Sequence, residues 1–492
     1  MSQIRISNLT FAYDGSYDNI FENVSFQIDT DWKLGFTGRN GRGKTTFLHL
    51  LLGKYPYRGT ISSSVTFSYF PFDVLNKSQN TVDVINNVFS NYESWRLSRE
   101  LSLLDVSEDV LSRPFATLSN GEQTKVLLAT LFLKENNFLL IDEPTNHLDT
   151  EARKIVSNYL KSKKGYILVS HDRAFLDNCI DHILSINKTN IDIQRGNFST
   201  WWQNKNFQDS FELSENEKLK KDIKRFAEKA RTTAEWSSTV EKTKFGVRNS
   251  GVKPDKGYIG HQAAKMMKRS KSLQSRQEQA IEEKSKLLKN IETTDKLSIK
   301  PLKYYTNRLF EAADLSIFYG DKIICNDVRF TIERGEQIAL CGKNGCGKSS
   351  ILKLLTGEDI PYTGSMRISS GLIVSYIPQD TSFLKGDLRD YAQKHNLDES
   401  LFKTLLRKLD VSQVQFEKDM EDYSEGQKKK VLLAKSLCEK AHLYIWDEPL
   451  NFIDVLSRIQ IEDLIREYKP TMIFVEHDSS FMNTVATKLV QL

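Results

Sequence analysis

The sequence predicts an α/β protein made of two tandem copies of one domain with a largely parallel sheet, joined by a long α-helical hairpin. Three observations predict it. The same residues recur at a nearly constant offset: Tyr13 as Tyr319, Lys44 as Lys348, Ser119 as Ser424, Asp142 as Asp447 and His171 as His477, at separations of 306, 304, 305, 305 and 306 residues. Such constancy marks a duplicated domain. Each copy alternates apolar runs, such as residues 138–141 and 166–169, with helical stretches that follow Gly-rich or Asp-containing turns, the alternation of a parallel sheet flanked by helices. Between the copies, apolar residues recur at helical spacing on either side of a Gly-containing centre. The expected divisions are residues 1–200 for the first copy, 201–300 for the connector and 301–492 for the second copy.

Length and composition agree with this organisation. At 492 residues the chain exceeds one ordinary core. Hydrophobic residues make up 39% and charged residues 27%, with a mean hydropathy of −0.45, the composition of a water-soluble globular protein. No run approaches the roughly 18–20 apolar residues that a membrane-spanning helix needs. The opening MSQIRISNL lacks a basic-then-apolar signal pattern, so a cytoplasmic protein without a membrane partner is expected. The five cysteines, Cys179, Cys325, Cys341, Cys346 and Cys438, are odd in number and lack metal-ligand spacing, which favours reduced thiols.

In chain order, the first chemical signal is a strand, a Gly-rich loop and a helix. Residues 34–37 run into GRNGRGKT at 38–45, and residues 337–341 run into GKNGCGKS at 342–349. This is the phosphate-binding P-loop. Its glycines let backbone N–H groups converge on an anion at a helix N-terminus, a lysine adds charge, and a hydroxyl is available for Mg²⁺. The residues concerned are Gly38, Asn40, Gly41, Gly43, Lys44, Thr45 and Thr46 in the first copy, and Gly342, Asn344, Gly345, Gly347, Lys348, Ser349 and Ser350 in the second. Next come LSNGEQ at 118–123 and YSEGQ at 423–427, each offering a hydroxyl and a Gly-opened helix N-terminus. FLLIDE at 138–143 and LYIWDE at 443–448 are apolar strands ending in two acids. There Asp142 and Asp447 can hold Mg²⁺, while Glu143 and Glu448 are the candidate catalytic carboxylates that orient the attacking water.

The whole set resembles the ATP-binding-cassette superfamily, with ATP and Mg²⁺ as the implied ligands. The resemblance implies that the signature of one domain completes the site of the other. Ser119 and Gly121 would then face the phosphates held by Lys348, and Ser424 and Gly426 those held by Lys44. It also implies switch histidines, His171 in VSHD and His477 in VEHD, and adenine-stacking aromatics, Tyr13 and Tyr319. Gln379, in YIPQ, stands where the family places a Mg²⁺- and water-contacting glutamine; the first copy has Phe72 in YFPF instead. Phenylalanine cannot ligate a metal, so equal activity of the two sites is not expected.

DEPTNHLD at 142–149, with SHDRAFLD from Ser170, is similar to the F subfamily, whose members bind ribosomes instead of moving solutes; the second copy has the looser DEPLNFID at 447–454. The connector adds an independent argument. Residues 201–300 carry 23 Lys and Arg against 14 Asp and Glu, a net +9, while the remainder of the chain is −4. A solvated helix face accounts for that charge as well as a polyanion partner does. Leu219, Ile223, Phe226 and Ala230, then Ala263, Met266, Leu273, Ala280, Leu287 and Ile291, supply two apolar stripes for a hairpin, and the glycines between Gly246 and Gly260 mark its turn. A basic loop at that turn would bring Lys244, Phe245, Val247, Arg248, Lys253, Lys256 and Tyr258, with His261 nearby, to RNA phosphates and bases.

Phe72 and Ser119 are 47 residues apart and Gln379 and Ser424 are 45 apart, which leaves no room for the extra arm that some housekeeping F-subfamily members insert there. With the long connector and strings such as GRNGRGKTT, AEWS and DKGYIGHQAAKMMKR, the chain resembles the Lsa type of antibiotic-resistance protein. The resemblance implies an ATPase that binds the bacterial 70S ribosome with its hairpin in the vacant tRNA exit site, near 23S rRNA and P-site tRNA. It further implies protection against lincosamides, streptogramin A compounds and pleuromutilins, with no obligate homo-oligomer. A housekeeping translation factor, the ATPase subunit of an exporter and a DNA-repair or chromosome-structure ATPase are the competing readings.

Overall fold

The computed structural model describes residues 2–13, 19–146, 148–186, 191–242, 256–288, 296–320 and 322–492. In the first copy a six-stranded sheet has the order Thr66–Phe70, Asn137–Asp142, Tyr166–Val169, Lys33–Thr37, His182–Ile186 and Ile191–Arg195. Its first five strands are parallel and the last is antiparallel. The second copy repeats it with five parallel strands, Val374–Ile377, Leu443–Asp447, Met472–Val475, Gln337–Cys341 and Lys488–Gln491. Strands such as Leu443–Asp447 and Met472–Val475 are buried along their whole length, which is why they read as unbroken apolar runs.

Each copy also carries a separate three-stranded antiparallel sheet, which the reading of a largely parallel sheet left out. In the first copy the order is Phe21–Asp29, Gln3–Phe11, Arg58–Ser62, and in the second Lys322–Glu333, Arg308–Tyr319, Tyr362–Ile368. Gln3–Phe11 buries Ile4, Ile6, Leu9 and Phe11. A register shift between Ile6 and Leu9 breaks the strict two-residue period and weakens the strand signal in the sequence.

The two copies together form one compact unit, and Thr200–Thr293 falls in a second. That second unit holds two long helices, the larger part of Phe198–Lys242 and the whole of Lys256–Leu288. Leu219, Ile223, Met266, Leu273 and Ala280 are half-buried on them. The helix beginning at Lys256 takes Gly257 and Gly260 into its first turns, so the expected turn ends earlier than Gly260. Tyr258 is exposed on that helix. Lys244, Phe245, Val247, Arg248 and Lys253 lie outside the described residues, as does Ile291. No described helix is long and apolar enough to cross a membrane. All five cysteines are free thiols.

Where the copies meet, the packing buries charge. Lys430 Nζ lies 3.0 Å from Asp454 Oδ2, with side-chain exposures of 3% and 0%. Arg458 pairs with Asp478 at 3.0 Å, and its counterpart Arg153 pairs with Asp172 at 2.9 Å. Arg173 of the first copy bonds Glu462 of the second. Burial acts to raise the Asp454 carboxyl, but Lys430 and the Ser457 amide hold it far below its ordinary value. Removing one partner strands the other charge in a dry interior. Lys430→Met should therefore cost about 3–5 kcal/mol in urea denaturation, and the double change with Asp454→Asn should cost clearly less.

Candidate functional site

The phosphate loops are built by backbone geometry that only glycine supplies. Gly38, Gly41 and Gly43 have φ of 151°, 78° and 89°, and Gly342, Gly345 and Gly347 have φ of 154°, 81° and 98°. At Gly43 a Cβ would also sit 2.5 Å from Ile20 Cγ2. These loops lead from the strands Lys33–Thr37 and Gln337–Cys341 into the helices Lys44–Leu51 and Lys348–Leu355, whose N-termini have no side-chain cap. Uncapped N–H groups and the positive helix end leave room for an anion. Lys44 Nζ donates to the carbonyls of Gly38 at 2.7 Å and Arg39 at 3.0 Å. Lys348 Nζ does the same to Gly342 and Lys343, both at 2.8 Å. Each ammonium is thus folded over its own loop.

The acid pairs stand beside these loops. Thr45 Oγ1 donates to Asp142 Oδ2 at 2.8 Å, and Tyr69 OH donates to the same oxygen at 3.0 Å. Ser349 donates to Asp447, whose Oδ1 is buried without a hydrogen-bond partner. Burial pushes the Asp447 carboxyl up to about 6, against the lowering effect of the Ser349 bond. A hydroxyl and a strand-end carboxylate side by side, with an oxygen lone pair left over, fit Mg²⁺, which takes one or two protein oxygens and completes its shell with water and phosphate. Glu143 and Glu448 follow with φ of 50° and 48°. This left-handed backbone costs on the order of 1–3 kcal/mol for a residue with a Cβ. Amide bonds to the neighbouring strand, from Glu143 to Val169 O at 2.9 Å and from Glu448 to Val475 O at 3.1 Å, hold it in place.

One cavity of about 840 Å³ gathers residues from both copies. The second copy lines it with Tyr319, Lys343, Asn344, Gly345, Gly347, Lys348, Ser349, Ser350, Gln379, Glu448 and His477, and the first with Ser119, Gly121, Asp149 and Arg153. Ser119 caps the helix Asn120–Phe132 through a capping box with Glu122, and Ser424 caps Glu425–Cys438 through one with Gln427. Both signature serines are thereby fixed at helix N-termini. On the other side, a Cβ on Gly426 would lie 3.2 Å from Asn40 Nδ2, which donates to Phe452 O at 2.9 Å. The signature of each copy therefore approaches the phosphate loop of the other.

The ABC transporter family matches residues 21–146 and 325–451, just over half of the chain. The chain belongs to this family. It is an ATPase with two tandem ABC domains. The "ATP-binding protein Uup" of Buchnera aphidicola is 27% identical over 99% of this chain and 80% of that protein. The "Ribosome protection protein VmlR" of Bacillus subtilis is 28% identical over 97% of this chain and 85% of that protein. Among solved structures, the archaeal ribosome recycling factor aABCE1, in complex with the stalk protein aP1, aligns with a TM-score of 0.64 at 18% identity. That alignment covers 98% of this chain and 87% of that one, and it shows likeness of fold.

Within this ABC ATPase the two sites differ. In the second, Glu448 Oε2 accepts from Gln379 Nε2 at 2.9 Å and from Asn451 Nδ2 at 2.6 Å, and Oε1 lies 3.4 Å from His477 Nε2. Burial works against the charged carboxylate, but the His477 and Gln379 bonds and the Lys429 charge prevail and hold Glu448 below its ordinary value. In the first, Phe72 offers no such donor, and Glu143 Oε1 is buried without a hydrogen-bond partner, 3.4 Å from His171 Nε2. Burial and the neighbouring Asp142 push Glu143 up to about 8. His171 is held neutral by burial and by the charges of Lys44 and Arg458.

Tyr13 OH lies 2.8 Å from Thr46 Oγ1, and Tyr319 OH lies 3.4 Å from Ser350 Oγ. Both rings are partly exposed beside the phosphate-loop helices, a placement that leaves a face for a base. Sequence reasoning missed Asn451, Lys429, Arg153 and Arg458. For Asn451 a signal existed, since Asn146 occupies the same place in the first copy. The two arginines lie beyond the D-ending motifs, and only the fold brings them to the opposite copy.

The raised Glu143 has a linkage consequence. Below its unfolded value near 4.5 the group is protonated in both states, so it costs nothing; between there and about 8 the unfolded chain ionises first and stability falls. Glu143→Gln should therefore melt close to wild type at acid pH and increasingly above it as pH rises to about 8, measured by thermal unfolding without nucleotide. A difference in melting temperature independent of pH would contradict the assignment.

Proposed function

We propose that this ABC ATPase binds two ATP molecules, each with Mg²⁺, between its domains, and uses them to engage and leave the bacterial ribosome. The observation that carries the reading is the pairing of full-length similarity to a ribosome protection protein with a basic helical connector of net +9 between the cassettes. No helix suited to a membrane span accompanies the described residues. The F-subfamily motifs and the missing arm support a protein of the Lsa type, with lincosamides, streptogramin A compounds and pleuromutilins as the drugs countered.

The residues are assigned as follows. The backbone amides after Gly38 and Gly342, with Lys44 and Lys348, bind the phosphates, and Tyr13 and Tyr319 stack on adenine. Thr45 with Asp142, and Ser349, Asp447 and Gln379, hold Mg²⁺; when bound, the ion neutralises phosphate charge. Glu448 orients a water whose oxygen bonds to the γ-phosphorus as the bond to the β–γ bridging oxygen breaks, giving ADP and phosphate. Glu143 has the corresponding role in the first site. Ser119, Gly121, Ser424 and Gly426 contact the γ-phosphate across the domain boundary, and His171 and His477 contact it from their own domain. Two ligated triphosphates favour the closed arrangement by differential affinity, and hydrolysis releases it. The connector carries the ribosome contacts, with the tip at residues 244–258 reaching 23S rRNA and P-site tRNA through the exit site. The protein acts in the cytoplasm.

Glu143→Gln with Glu448→Gln should bind ATP, turn over at least about 100-fold more slowly and stay on ribosomes in pelleting assays. Rapid turnover and release would refute the assignment. In cell-free bacterial translation stopped by lincomycin, purified protein with ATP should restore synthesis, since no membrane is present for export. Replacing residues 244–258 by a short Gly-Ser link should abolish that recovery and spare ATPase activity. Ribosome binding without recovery would favour a housekeeping translation factor.

A further inference from the structure

A buried lysine lies behind the second site and has no counterpart in the first. Lys429, in the helix Glu425–Cys438, is 2% exposed. Its Nζ donates to the carbonyl of Pro378 at 3.2 Å and reaches that of Asp447 at 3.5 Å. Those carbonyls belong to the residues immediately before Gln379 and Glu448, whose side chains bond each other at 2.9 Å. One ammonium therefore spans the two strand ends that carry the pair. In the first copy the repeat places Thr124 at this position and Phe72 at that of Gln379.

The surroundings differ in concert. Behind the first site, Thr145 Oγ1 and Ser170 Oγ lie 3.2 Å apart, a neutral pair. Behind the second the matching residues are Leu450 and Glu476, and the buried Glu476 accepts the Leu450 amide at 2.8 Å. The carboxylates acting on Lys429 are Glu476, Asp447, Glu448 and Glu425. A cation with three donors held in a dry site binds carbonyl dipoles strongly. It thereby resists the separation of the strand ends.

We propose that Lys429 is a positioning residue for ATP hydrolysis at the second site: by clasping the carbonyls of Pro378 and Asp447 it keeps Gln379 and the Glu448 carboxylate in register toward the cavity. The inference rests on the reading of Glu448 as the residue that orients the attacking water. Misplacement of such a group by an ångström costs on the order of 100-fold in rate, which sets the scale of effect.

The test is steady-state ATPase kinetics of the full chain. Lys429→Met should lower kcat by about 10- to 100-fold with KM for ATP little changed, and Lys429→Arg, which keeps a cation of similar reach, should recover most of the rate. Because Lys429→Met removes a cation that Glu476 acts on, leaving Glu476 with Arg458 and the Leu450 amide, a second variant combines Lys429→Thr, Leu450→Thr and Glu476→Ser, the neutral set of the first copy. It should melt like wild type and still turn over slowly. Full kcat in that triple variant would mean that Lys429 only offsets Glu476, and the proposal would fall. A raised KM with unchanged kcat would also overturn it. Glu448→Gln separates the two layers of the argument. If it retains wild-type turnover, the reading of Glu448 fails and takes the proposal with it. If it is inactive while the Lys429 variants are not, the lysine proposal alone fails.

Discussion

Two helix N-termini, those of Lys348–Leu355 and Asn120–Phe132, converge on one cavity together with Lys348 and Lys343. Lys343 is met there by Glu151 at 3.1 Å, while the uncapped helix end at Lys348 leaves room for an anion. The domain interface and the substrate site are consequently one problem in electrostatics. Arg153, paired with Asp172, lines that cavity, while Lys430–Asp454 and Arg458–Asp478 stand beside Lys44 and His171 of the first copy. Their geometry is strict because an unpaired charge there would be costly.

The duplication has kept the phosphate loops nearly identical and let the surroundings of the glutamates diverge. Both Glu143 and Glu448 share the strained backbone and the nearby histidine, features imposed by the strand-end position. What differs is the supply of donors. Gln379, Asn451 and Lys429 surround Glu448 with partners that favour its charged form. Glu143 has an unpartnered oxygen and a carboxyl displaced upward by burial. A charged carboxylate can polarise water, whereas a neutral one cannot serve as a base. The two glutamates therefore stand in different electrostatic surroundings.

Much of this was legible in the residues themselves. The phosphate loops, the strand-end acids and the signature turns are short stretches whose chemistry depends on adjacent residues, so order along the chain reveals them. Glycine at positions such as Gly43 and Gly347 follows from positive φ, a local demand. The apolar strands buried on both faces were equally plain. The antiparallel sheets were not, because bulges such as the one between Ile6 and Leu9 interrupt their period.

What the sequence by itself determined, then, was the duplication, the ATPase family and the motifs that mark it. Tertiary structure decided which of these meet. That Lys429 reaches Pro378 and Asp447, and that Asn40 reaches Phe452, depends on contacts between residues 18 to 412 positions apart in the chain. Tertiary structure also decided the protonation of Glu143 and Glu448. Burial and distant charges set a carboxyl's pKa, and neither is written in the residues beside it.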